Sequence, residues 1–224
     1  MTYRFELPSY RYSTLFVCLV FFFVVMPFFD QSPYAQFVTE IALLGMLAVF
    51  VYLVSNKPRI FWIATILAIP AILGTVGDIL FQDYRLELTG IFGIFFFLGY
   101  VLWVFCVNLF KSKTVDTNMI YGAVCIYLLI AIECGLLYAL LEIYVPNSFD
   151  IGTASAVVMS ENNALVRDLV YYSFISLTTT GYGDIVPLTQ TARYFSMLES
   201  FLGQMYLTVL VARLVGMHIA GRQK

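Results

Sequence analysis

The stretch Thr178-Thr179-Thr180-Gly181-Tyr182-Gly183-Asp184 decides how this sequence is read. It is a polar, glycine-bearing run in a chain of 224 residues, of which 61% are hydrophobic and 12% charged. Long apolar segments flank it on both sides. Non-helical backbone at membrane depth is tolerated only where it is buried in protein or lines a water-filled path. The run therefore reads as the lining of a path. A dehydrated cation needs several oxygens in place of its water. Backbone carbonyls supply them without a full charge, so the ion can also leave. Successive carbonyls point to one side only if some residues take positive φ, which glycine adopts without steric cost. Gly181 and Gly183 stand where that freedom is needed. Tyr182 between them is expected to turn its ring outward against surrounding protein, and Thr179 offers a hydroxyl as well as a carbonyl to the innermost site.

Thr178–Asp184 resembles the signature of the potassium-channel superfamily, the best-known case of ion coordination by backbone carbonyls. The usual filter has Val where this chain has Thr180, a position that contributes mainly its carbonyl. The resemblance implies that Thr179, Thr180, Gly181 and Tyr182 supply the oxygens that coordinate K+ as the permeant ion, with no organic cofactor. It also implies that Gly183, Asp184, Tyr171 and Tyr172 support the filter. The two tyrosines would brace Tyr182, with Tyr172 the candidate partner of Asp184; the alternative is that both are ordinary interface aromatics. Asp184 either contributes to an acidic ring at the outer mouth or makes a structural hydrogen bond, and both roles are compatible. The spacing of Gly203 from Asp184 matches the family's hinge glycine, which makes Gly203 a candidate gating hinge. Close helix packing is the competing use of a small residue there.

Composition agrees with a membrane protein. Mean hydropathy is +0.88. The net charge of −2 leaves no nucleic-acid footprint. Cys18, Cys106, Cys125 and Cys134 all fall in apolar segments and read as buried small hydrophobes. His218 is the single histidine, so a His-rich metal site is excluded. No nucleophile–base or metal-ligand constellation points to an enzyme.

Taken in order, apolar runs cover residues 12–29, 35–55, 60–80, 86–110, 119–141 and 192–218. Each is near the ~20 residues that span a bilayer. The expected fold is an all-α membrane protein with six transmembrane helices, a re-entrant pore helix and a filter loop. Residues 1–113 form a four-helix transmembrane domain and 114–224 a pore domain. The latter comprises the outer helix, an extracellular turret at 142–163, the pore helix at 164–178, the filter at 179–184 and the inner helix at 192–218. By resemblance the Asp184 end faces outside, which places both termini in the cytoplasm. Arg4, Arg11, Lys57, Arg59, Lys111, Lys113, Arg222 and Lys224 then lie inside, the positive-inside pattern. The expected location is a cell membrane, either a bacterial inner membrane or a plasma membrane.

One filter copy cannot surround an ion, so a C4 homotetramer in lipid is expected. Residues 86–110 contain no Lys or Arg, so the six-segment layout comes without voltage-sensor charges. Glycines 90, 93 and 99 suggest close helix packing there instead. Few residues follow His218, and no cytoplasmic ligand-binding domain is expected in the chain. Glu133 and Glu199 lie within apolar segments and read either as satisfied structural acids or, with His218, as pH sensors. The function expected is passive, potassium-selective conduction without intrinsic voltage gating. The alternatives are a weakly selective monovalent cation channel on the same scaffold and a potassium-uptake transporter subunit.

Overall fold

The computed structural model describes residues 10–29, 35–54, 58–81, 83–111, 117–152 and 162–222. Seven helices run through these residues: α1 (Tyr10–Phe29), α2 (Ala35–Val54), α3 (Pro58–Phe81), α4 (Tyr84–Lys111), α5 (Thr117–Tyr144), α6 (Asn162–Leu177) and α7 (Gln190–Arg222). Six of them coincide with the six apolar runs, and α6 with the expected pore helix. Among the described residues, Pro58–Asp78, Tyr84–Phe110, Thr117–Tyr144 and Gln190–Arg213 are long and apolar enough to cross a membrane. Tyr12–Val24 is apolar but shorter. The protein is an all-α membrane protein in its described part, apart from one small strand pair.

Local chemistry sets the helix ends. Pro58 opens α3, where its missing N–H would have had no helical partner. Asp83 caps α4: its Oδ1 accepts the Arg85 N–H at 2.9 Å. Thr189 caps α7 by accepting the Ala192 N–H at 3.3 Å. Pro70 lies within α3, which continues through it.

The chain divides into two compact units, Met1–Ile126 and Tyr127–Lys224. The division falls inside α5. The reason is packing at the start of α5. Gly122 lies against the Tyr12 ring, and the Cys125 thiol reaches the Tyr12 carbonyl at 3.8 Å. The first turns of α5 therefore belong with α1.

In the first unit, α3 and α4 approach to backbone contact. A Cβ added at Gly93 would sit 2.3 Å from the Ala71 nitrogen, and one at Gly74 would sit 2.1 Å from the Gly90 nitrogen. Small residues let helices meet this closely in a membrane, where close van der Waals packing holds them together. Gly90 and Gly93 thus have the packing role expected of them.

In the second unit, the core is an aromatic cluster behind α6. Tyr138, Phe149 and Tyr172 stand with ring centroids 5.3–5.5 Å apart, packed with Leu169, Ile185 and Ala192. The chain after α5 is tied down locally. Glu142, still within α5, accepts the N–H groups of Asn147 at 2.7 Å and Phe149 at 2.9 Å. Phe149–Asp150 (β1) then pairs antiparallel with Val186–Pro187 (β2). Residues 142–150 of the expected turret run from the last turn of α5 through a short turn into β1. Its residues 153–161 lie outside the described residues, as does the His218 side chain.

Candidate functional site

The polar run begins where α6 stops. Leu177 is the last helical residue, and Thr179 takes a left-handed φ of 58°. The Thr179 N–H then donates to Ser176 O at 3.0 Å, and the Thr180 N–H to Ile175 O at 2.9 Å. This pair of bonds is the Schellman closure of a helix C-terminus. Glycine normally occupies the left-handed position, and a β-branched residue there is strained. Such strain persists only where the surroundings over-determine it, and it gathers at functional sites.

The same hand recurs at every second residue. Gly181 has φ 58° and Gly183 φ 78°, while Thr180 and Tyr182 between them are not left-handed. Alternation of hand turns successive carbonyls to one side, as the spacing of the glycines requires. No side chain or backbone lies within 4 Å of where a Cβ at Gly181 or Gly183 would stand. Backbone conformation, not crowding by the described residues, is what favours glycine at both.

Hydroxyls line the start of the run. Thr178 donates to Phe174 O at 2.7 Å, and its Oγ1 lies 2.9 Å from Thr180 Oγ1. Gln204 of α7 reaches Thr179 Oγ1 with its Nε2 at 3.3 Å. Residues 178–184 are all exposed in the single chain, and Tyr182 is 71% exposed. The protein packing expected around the Tyr182 ring is therefore absent within one chain.

The two tyrosines of α6 divide their work differently from the expectation. The Tyr171 hydroxyl, not that of Tyr172, donates to Asp184 Oδ2, at 2.6 Å. Tyr172 is buried and donates to Ser196 Oγ at 2.7 Å, which in turn donates to Ala192 O. Adjacent residues on a helix point about 100° apart, so only one of the pair can face Asp184. The Tyr171 bond holds the Asp184 carboxyl below the usual carboxylate range. The same bond pushes the Tyr171 hydroxyl up to about 12.

Two glycines seat the pore helix. A Cβ at Gly203 would lie 2.6 Å from the Leu177 carbonyl oxygen, and one at Gly135 would lie 2.5 Å from the Val170 Cα. α7 runs unbroken past Gly203 to Arg222. Of the two uses weighed for Gly203, close packing is the one its surroundings display. Gly135 was not singled out by the sequence; its place on α5, one helical face from Ala131 and Ala139, was the available signal.

Hydrogen bonds complete the seat. Tyr127 of α5 donates to Leu177 O at 3.1 Å. Glu199 of α7 is buried. It receives the Tyr138 hydroxyl at 2.6 Å and contacts Ser173 Oγ, which also lies 2.6 Å from Ala131 O. Glu199 thus stands as an acid with partners. Glu133 differs: one of its carboxyl oxygens is buried without a hydrogen-bond partner.

No curated protein and no solved structure matches this chain. A family model described as an ion channel, Ion_trans_2, matches residues 124–219. That segment takes in most of α5 and all of α6, the alternating run and most of α7. Over residues 124–219 the chain is thus similar to the ion-channel family.

Proposed function

We propose that the protein is a potassium-selective channel subunit that conducts K+ passively through a central pore formed by four copies of the chain. The observation that carries the reading is the left-handed backbone at Thr179, Gly181 and Gly183, set on the end of α6. In this reading the carbonyls of Thr179, Thr180, Gly181 and Tyr182 share a side, and a dehydrated K+ is held by several weak dipoles at once. The carboxyl-terminal end of α6, partially negative, favours a cation beneath the filter. Asp184 adds a carboxylate at the outer end.

Support for four copies comes from what one chain leaves uncovered. Tyr194, Met197, Leu198, Phe201, Leu202 and Met205 are exposed on α7, while Ser196, Glu199 and Gly203 of the same helix are buried. Closing a ring around an ion needs equivalent filters, and a closed C4 ring covers that apolar face. The subunit is placed in a cell membrane with six spans and both termini cytoplasmic, in line with the positive-inside distribution.

The deciding measurement is flux in liposomes holding the purified protein, with potassium compared against sodium. Strong potassium preference that is lost in Gly181→Ala supports the filter assignment. Equal fluxes of the two ions would replace it with a weakly selective cation channel.

A further inference from the structure

Glu199 is 2% exposed, and its carboxyl on α7 lies against oxygens from two other helices. On α5, Tyr138 Oη is 2.6 Å from Glu199 Oε2. On α6, Ser173 Oγ contacts Glu199 Oε1 and is at the same time 2.6 Å from the Ala131 carbonyl oxygen of α5. Two oxygens this close repel each other unless a hydrogen lies between them. The line Ala131 O, Ser173 Oγ, Glu199 Oε1 therefore needs two hydrogens. Serine has one, a carbonyl has none, and an ionised carboxylate has none. A protonated carboxyl supplies the missing one.

We propose that Glu199 carries a proton on Oε1, and that this neutral acid is the positioning residue that fixes α6 between α5 and α7. Each hydrogen on this line then has one place, and the Cys134 thiol is a further hydrogen-bond partner of the carboxyl. Glu199 Oε1–H donates to Ser173 Oγ, Ser173 O–H donates to Ala131 O, and Tyr138 O–H donates to Glu199 Oε2. The titratable groups of α5 around this carboxyl are Tyr127, Cys134 and Tyr138, with Glu133 beside Cys134; α6 contributes the Ser173 hydroxyl. None of them carries a positive charge that would hold a carboxylate ionised. Removing the proton leaves Ser173 with one hydrogen for two acceptors. The serine must then release either Ala131 or Glu199, and α6 loses one of the two ties made through Ser173. Since α6 ends directly in the alternating run, that loss reaches the filter.

The test uses the full-length protein in lipid. In the infrared difference between wild type and Glu199→Gln at neutral pH, a carboxylic-acid C=O band is expected in the wild type and missing from the variant. Glutamine places an N–H where the acid holds its O–H, so it keeps the network without the proton. Raising the pH is expected to abolish the band. Amide exchange across residues 162–177 should then become several-fold faster in the wild type than in Glu199→Gln at the same pH. Potassium flux is expected to fall several-fold in the wild type over that range and to hold in the variant. Absence of a Glu199-dependent acid band overturns the proton assignment. Equal alkaline loss of exchange protection in both proteins overturns the positioning role. Only the flux arm rests on the potassium-channel reading. A wild type without potassium flux counts against that reading, while the infrared and exchange arms still decide the role of Glu199.

Discussion

Thr179 and Gly181 share a backbone conformation but reach it at different expense. Glycine enters the left-handed region freely, whereas a side chain there costs roughly 1–2 kcal/mol per residue. Gly181→Ala adds that strain in every subunit and leaves the void around the residue unchanged. Lost potassium preference with retained assembly is the expected outcome, read by ion flux alongside sizing in detergent. The Tyr171–Asp184 bond makes a second prediction. Because the bond lowers the Asp184 carboxyl, its contribution is full above the ordinary carboxylate range and disappears only as the pH falls through the lowered value. With its hydroxyl pushed up to about 12, Tyr171 remains a donor through neutral and mildly alkaline pH. Tyr171→Phe is expected to move acid loss of potassium current to higher pH, measured as a current–pH titration from the Asp184 side. Tyr172→Phe should leave that titration in place, because its hydroxyl goes to Ser196. The glycine pattern of the filter was legible in the sequence, since φ > 0 has few occupants. The division between Tyr171 and Tyr172 was not, since it depends on how α6 is rotated about its axis.

At the scale of elements, pore helix α6 is held on both sides by glycines. Gly203→Ala would press a methyl against the Leu177 carbonyl, a backbone atom that cannot turn aside. Overpacking of this kind costs about 1–3 kcal/mol. Lower thermal stability together with altered potassium selectivity is expected. A variant that changed open probability alone would instead favour a hinge. The crossing of α3 and α4 rests on the same principle, and Gly93→Leu is expected to disrupt the first unit, seen as lost expression or protease resistance. Helix positions were readable from apolar run length, and the caps from Asp83 and Thr189. The β1–β2 pair was hidden, because two residues per strand carry no periodicity and their partners lie 36 and 38 positions apart in the chain.

For the whole molecule, the uncovered apolar face of α7 and the exposed Tyr182 ring set the expectation of a tetramer. Mass measurement in native detergent should give four chains. A charge placed on that face, as in Leu198→Glu, should return monomers. Voltage is expected to do little. Each charge carried through the field contributes ~2.3 kcal/mol per 100 mV, and residues 86–110 offer no Lys or Arg to move. Open probability should therefore stay nearly flat across physiological voltages in single-channel recordings.

The sequence by itself determined the membrane class, the course of the long helices and the glycine-spaced backbone of the run Thr178–Asp184. Each of these follows from neighbours in the chain: an apolar run must become a helix in lipid, and alternating glycines permit only certain backbones. Only the tertiary structure decided which tyrosine meets Asp184, that Gly203 and Gly135 seat α6, and that Glu199 joins Tyr138 and Ser173. It also placed the division of the chain within α5. These are meetings of side chains from separate helices, set by the rotation and depth at which the helices pack, and no local pattern encodes them.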